Sequence, residues 1–105
     1  MAVFSELVWN LAKRIPEGKV STYGEVARAL GKPGAGRAVG QALKRNPHAP
    51  IVPCHRVVRS TGELGGYSGS ADDPARIRRK KALLRSEGLR WDGNRIDLAK
   101  YGHRF

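Results

Sequence analysis

Residues 22–45 read TYGEVARALGKPGAGRAVGQALKR, and this stretch decides the fold. Thr22 followed three residues later by Glu25 is a capping box, in which hydroxyl and carboxylate each satisfy an exposed backbone N–H. It predicts a helix over about 23–30 that buries Val26, Ala27 and Leu30 and stops at Gly31. Lys32-Pro33-Gly34 is a tight turn, and a second helix is expected from about Ala35 to Arg45. Two short helices joined by a glycine-containing turn outline a helix-turn-helix. The second helix is unusual, because Ala35, Gly36, Ala38, Gly40 and Ala42 surround Arg37. Glycine lowers helix propensity, so these small residues call for a reason. Close approach to a nucleic-acid surface is one reason, and tight packing against the first helix is the other. Both stay open at this level.

Working outward, Phe4, Leu7, Val8, Leu11, Ala12 and Ile15 recur at helical spacing, which predicts an amphipathic helix over 5–15 ended by Pro16 and Gly18. Val20 to Thr22 is a short link. After the helix-turn-helix, Asn46-Pro47-His48-Ala49-Pro50 is a stiff loop, since each proline fixes its own φ and restricts its neighbour. Ile51-Val52-Pro53 leads into Cys54-His55-Arg56-Val57-Val58. Four glycines between 60 and 72 make a flexible loop around Tyr67. Asp73-Pro74 opens another helix, with Asp as N-cap and Pro at the first helical position, and Gly88 closes it. Leu89 and Trp91, then Asp92-Gly93-Asn94, then Ile96 and Leu98 read as a small hairpin. The expected fold is mainly α, a winged-helix-like helix-turn-helix domain with a small C-terminal β-hairpin.

The 105 residues suit one domain, 1–105, and 40% hydrophobic content is too high for a disordered basic tail. No run approaches the roughly 18 apolar residues of a membrane span, and the start carries no signal-peptide pattern. The single cysteine excludes an internal disulfide and a multi-cysteine zinc cluster. Twenty Lys and Arg against nine Asp and Glu give a formal charge of +11, for which a polyanion, first of all nucleic acid, is the leading partner. The densest basic run is Arg76, Arg78, Arg79, Lys80 and Lys81, which reads equally well as a solvated helix face.

Cys54 followed by His55 is the evident nucleophile–base pairing, because an imidazole that takes the thiol proton leaves the far more nucleophilic thiolate. Neighbours in sequence need not face each other, and a buried structural cysteine is the bland alternative. Glu87, three residues after Leu84 and four after Leu83, shares a helix face with apolar side chains. A carboxylate there needs a partner. It can polarise a histidine, or it can pair with an arginine or reach solvent. Cysteine, histidine and carboxylate also describe thiol hydrolases, but those need a cleft and an oxyanion hole. A nucleophile placed just after a helix-turn-helix in a cationic domain suits chemistry on a flipped nucleic-acid base better.

Pro53-Cys54-His55-Arg56-Val57 resembles the active-site signature of the O6-alkylguanine-DNA alkyltransferases, also called methylated-DNA–protein-cysteine methyltransferases. Val20-Ser21-Thr22-Tyr23-Gly24-Glu25, Arg37-Ala38-Val39-Gly40 and Asn46-Pro47 resemble that family's helix-turn-helix and asparagine hinge. Gly66-Tyr67-Ser68-Gly69 and Glu87-Gly88 resemble its substrate loop and final helix. Six motifs in family order cover nearly the whole chain, which makes the resemblance far more specific than any one of them.

The resemblance implies an irreversible, single-turnover transfer of the alkyl group from guanine O6 to Cys54. His55 would relay the thiol proton through a water toward Glu87, with Asn46 holding the hinge. Tyr23 would donate to the base and help rotate it out, backbone groups of Cys54 and Val57 would read the guanine amine, and Tyr67 and Ser68 would close the pocket. Arg37 would fill the vacated stack from a helix in the minor groove, with Ala35, Gly36 and Gly40 against the DNA. The family's N-terminal domain, zinc-bearing in some members, has no counterpart here, so no metal or cofactor is expected. The implied protein is an intracellular monomer, nucleoid-associated or nuclear, that binds double-stranded DNA and no membrane, with a repair protein as a further partner. The compact length and the tail from Asn94 to Gly102 resemble the alkyltransferase-like proteins, so a lesion-binding protein that flips and flags O6-alkylguanine without efficient transfer is the alternative reading.

Overall fold

A computed structural model describes residues 3–45, 53–64, 74–93 and 95–105. Five helices appear among them: α1 (Phe4–Ala12), α2 (Tyr23–Ala29), α3 (Gly36–Lys44), α4 (Pro74–Ser86) and α5 (Leu98–Tyr101). Four two-residue strands join them: β1 (Ser21–Thr22), β2 (Val57–Val58), β3 (Trp91–Asp92) and β4 (Arg95–Ile96). The mainly α expectation and the C-terminal hairpin both hold. β3 and β4 pair antiparallel, with Trp91 opposite Ile96 and Asp92 opposite Arg95. α1 is shorter than its periodicity suggests, because Arg14 and Ile15 donate to Leu11 and Ala12 in a tighter closing turn ahead of Pro16. The Asp73 N-cap lies outside the described residues. No described helix is long and apolar enough to cross a membrane.

A parallel pairing of β1 with β2 was not expected from the sequence. Ser21 pairs with Val57 and Thr22 with Val58, which sets the start of α2 beside the segment after Cys54. Successive strand side chains point to opposite faces. Val57 therefore enters one core cluster, with Val8, Ala12, Ile15, Val26, Ala27, Val39, Ala42 and Leu43. Val58 enters a second, with Val20, Leu64, Leu84, Leu89 and Ile96. The first cluster holds α1, α2 and α3 together, and Trp9 Nε1 donates to Ala42 O at 2.8 Å across it. The second seats α4 and the hairpin.

Half of the expected capping box forms. Thr22 Oγ1 accepts from Glu25 N–H at 3.0 Å, whereas the Glu25 carboxylate turns away to Arg28, Arg104 and the backbone N–H of Phe105. The stronger basic partners explain the change.

Gly62 joins the β2 end to the hairpin at φ +89°, and Ile96 N–H donates to its carbonyl at 2.8 Å. A Cβ there would stand 2.5 Å from Ile96 O, a backbone atom with no easy retreat. Gly62→Ala is expected to lower the unfolding free energy by about 2 kcal/mol, read by urea denaturation. A change within 0.5 kcal/mol would show that the hairpin shifts freely.

Candidate active site

Cys54–Arg56 form one turn of 3-10 helix after the buried Pro53, closed by Arg56 N–H to Pro53 O at 2.9 Å. With about three residues per turn, successive side chains leave in three directions. Cys54 is half-buried and packs against the first core cluster, as a free thiol. His55 turns inward and is 5% exposed. Arg56 reaches toward the ends of both α1 and α4.

Glu87 follows the last turn of α4 and meets two of these side chains. His55 Nε2 lies 2.8 Å from Glu87 Oε2. Arg56 grips the same carboxylate in a fork, Nε to Oε1 and Nη2 to Oε2, both at 2.8 Å. Arg56 Nη1 donates to Ile15 O at 2.8 Å, so one guanidinium fixes the carboxylate and anchors it to the end of α1. The two sequence-level alternatives for Glu87, a histidine or an arginine, are therefore both realised at once.

The electrostatics follow from that fork. Burial raises the Glu87 carboxyl, but hydrogen bonds from Arg56 and His55 and their charges bring it below its ordinary value. Burial lowers His55, and the Arg56 and Lys80 charges lower it further, while Glu87 raises it without overturning the result. Arg56 thus already compensates the carboxylate charge, and the imidazole stays neutral at pH 7. An ionised Glu87 can only accept, so Nε2 carries the ring proton and Nδ1 carries the lone pair. Nδ1 is buried and has no hydrogen-bond partner among the described residues. The arrangement makes His55 a neutral base with one defined accepting atom.

Lys80 is a site residue the sequence reading missed. It was counted in a basic run, yet it is 7% exposed, and its Nζ donates to Val57 O at 2.8 Å. Burial pushes its ammonium down to about 8, with Cys54 pulling upward and Arg59 downward. Lys80 and Leu84 share one face of α4, Glu87 follows at i+7 just past its end, and Leu84 is fully buried. That periodicity was the available signal. Arg78 and Arg79 are exposed, as the solvated-face reading expects.

Tyr23 opens α2, half-buried against the first core cluster. On α3, Arg37 is exposed together with Ala38, Gln41 and Arg45, which at helical spacing form one cationic stripe. Ala35 and Gly36 are half-buried and Gly40 is buried, so helix packing accounts for part of the small-residue pattern. A Cβ on Gly36 would still make only ordinary contact with Tyr23, at 3.8 Å, so packing alone does not require glycine there. Asn46, Tyr67 and Ser68 lie outside the described residues. Among the described residues, no three of His, Cys, Asp and Glu converge as a metal site would need.

Fold and site together define a helix-turn-helix domain with a half-buried cysteine next in sequence to a His55–Glu87 pair. Residues 3–89 match the family described as 6-O-methylguanine DNA methyltransferase, DNA binding domain, and the chain belongs to that family. It is 49% identical over 85 residues to the methylated-DNA–protein-cysteine methyltransferase of Methanosarcina acetivorans, covering 81% of this chain and 51% of that protein. The chain spans about half the length of the curated relatives it matches. Among solved structures, S. pombe Atl1 in complex with damaged DNA containing O6-carboxymethylguanine superposes with a TM-score of 0.84 at 36% identity, covering 99% of each chain. Mycobacterium tuberculosis OGT in complex with DNA gives a TM-score of 0.71 at 47% identity, covering 83% of this chain and 50% of that one.

Proposed function

We propose that this chain repairs O6-alkylguanine in DNA by moving the alkyl group onto Cys54. The observation that carries the reading is the half-buried Cys54 thiol next in sequence to a neutral His55 whose tautomer Glu87 fixes. His55 Nδ1 takes the thiol proton through a water, and the Cys54 sulfur attacks the alkyl carbon. A C–S bond forms as the C–O6 bond breaks, and the electron pair stays on the guanine, while Tyr23 serves to rotate the nucleotide out of the duplex. A thioether is a poor leaving group, so each molecule acts once. Backbone groups of Cys54 and Val57 read the guanine amine, Asn46 holds the hinge, and Tyr67 and Ser68 close the pocket.

The base must leave the stack before sulfur can reach it. Arg37 fills the gap from α3 lying in the minor groove, with Ala35, Gly36 and Gly40 lining the approach. The +11 charge supplies the sequence-independent attraction to double-stranded DNA. The protein acts in this reading as a monomer inside the cell, in the nucleoid or nucleus, with a repair protein as a further partner.

One observation favours a second reading, lesion binding without efficient transfer. The Atl1 complex with damaged DNA is among the structures that match this chain over 99% of both lengths. Peptide mass spectrometry after mixing with a duplex carrying one O6-methylguanine separates the two. Transfer predicts one added methyl group on the Cys54 peptide, absent in Cys54→Ser. Tight, lesion-selective binding with no mass change would overturn transfer and support the second reading.

A further inference from the structure

Residues 90–105 lie beyond the family match, yet their last five residues run directly against the element that begins with Tyr23. Val20 N–H donates to Tyr101 O at 2.9 Å, and His103 N–H donates to Val20 O at 2.7 Å. Val20 thus bridges Gly102 in parallel fashion, immediately before β1 pairs with β2. The chain then crosses the first turn of α2. Arg104 Nε stands 3.9 Å from Glu25 Oε1, the Phe105 N–H hydrogen-bonds the Glu25 carboxylate, and Arg28 Nη2 donates to Phe105 O at 3.2 Å. The Phe105 ring packs against the first core cluster, with the Arg14 guanidinium 5.8 Å from its centroid and the His103 ring edge-on at 5.1 Å.

α2 has seven residues, too few to hold its own geometry in water. It is fixed from three sides: β1 leads in, Thr22 caps the start, and Arg104 and Phe105 hold Glu25 in the first turn and Arg28 in the last, with His103 tied to Val20. We propose that residues 103–105 are a positioning strap that presets Tyr23 for rotating the damaged nucleotide out of the duplex. The inference rests on the function proposed above. A strap of this kind removes ordering cost from the binding step, since the tyrosine is already placed when DNA arrives. It acts through Tyr23 and touches no reacting atom, so it bears on extrusion and leaves the thiol chemistry alone.

Three variants in the full chain test it. Glu25→Gln weakens the clamp, while Thr22 still accepts from the residue 25 backbone N–H. Phe105→Ala removes the ring, and Phe105→Leu restores most of its apolar fill. Extrusion is read by the fluorescence of 2-aminopurine beside the lesion in a duplex. Transfer is measured in parallel from the same duplex and from the free base O6-methylguanine, which needs no extrusion. Both disrupting variants are expected to slow extrusion and duplex transfer roughly tenfold. Free-base transfer should stay within about twofold, and Phe105→Leu should recover most of the loss.

Equal losses on duplex and free base would overturn the strap in favour of a general structural role, as would unchanged extrusion in Glu25→Gln and Phe105→Ala. If Phe105→Ala fails to fold, the extrusion rate of Glu25→Gln decides between the same outcomes. An unmodified protein with neither lesion-dependent fluorescence nor transfer would overturn the functional reading, and the strap with it.

Discussion

Replacing Glu87 by glutamine is expected to slow alkyl transfer to Cys54 by about a thousandfold while leaving DNA affinity nearly unchanged. The two side chains have the same shape, so the effect comes from charge. Oε2 accepts from both His55 Nε2 and Arg56 Nη2, and Oε1 accepts from Arg56 Nε, so a glutamine keeps its carbonyl at the Oε2 position and turns its NH2 to Arg56 Nε. The His55 tautomer is kept, but the negative charge that stabilises the imidazolium formed when Nδ1 takes the thiol proton is gone. Single-turnover rates on a lesion-bearing duplex test this, and a loss below threefold would remove the Glu87 charge from the mechanism. In the unmodified chain, burial holds His55 below its ordinary value, so the rate should be flat through neutrality and fall only in acid as the imidazole gains a proton.

Lys80 carries the second large effect, on stability. Its ammonium titrates near 8 in the folded chain, against 10.5 for an exposed lysine. Below pH 8 both folded and unfolded chains hold the proton, and the folded state bears the whole cost of a buried cation. Between 8 and 10.5 the unfolded chain holds more protons, so the unfolding free energy rises with pH and then levels off. The gap corresponds to about 3 kcal/mol. Urea midpoints taken between pH 7.5 and 10 should climb in the unmodified chain. Lys80→Met should flatten that climb. Its stability at pH 7 should change little, since losing the buried charge is offset by leaving Val57 O without its donor, worth about 1–3 kcal/mol. A slope that persists in Lys80→Met would assign it to another group.

What could be read from the sequence was whatever repeats. The apolar spacing in 4–15, the Thr22 cap, the Gly31 stop and the Gly88 stop placed the helices within a few residues of α1, α2, α3 and α4. The Asp92-Gly93-Asn94 turn placed the hairpin. Two-residue strands leave no such trace, so the β1–β2 pairing that sets the start of α2 beside the segment after Cys54 was invisible. Cys54, His55 and Glu87 were identifiable as chemistry, and the fold brings the last two into contact. Arg56 and Lys80 escaped notice for a physical reason. A cation that bonds a backbone carbonyl or an already assigned carboxylate looks, in sequence, like any solvated cation. The tail escaped likewise, because most of its bonds run through main-chain atoms that every residue possesses.

The alternation at Val57 and Val58 has a mechanical consequence. Each valine belongs to a different core, so the domain is two packed bodies meeting along a seam at β2. The site lies across that seam: Cys54 sits on the helix-turn-helix side, while Glu87 is carried by α4 from the other. The His55–Glu87 contact and the Arg56 fork act as rivets between the bodies, and any shear that loosens them also disarms the base. Amide hydrogen exchange in the two cores is therefore expected to be coupled through these contacts, which in the proposed function also prepare the thiol.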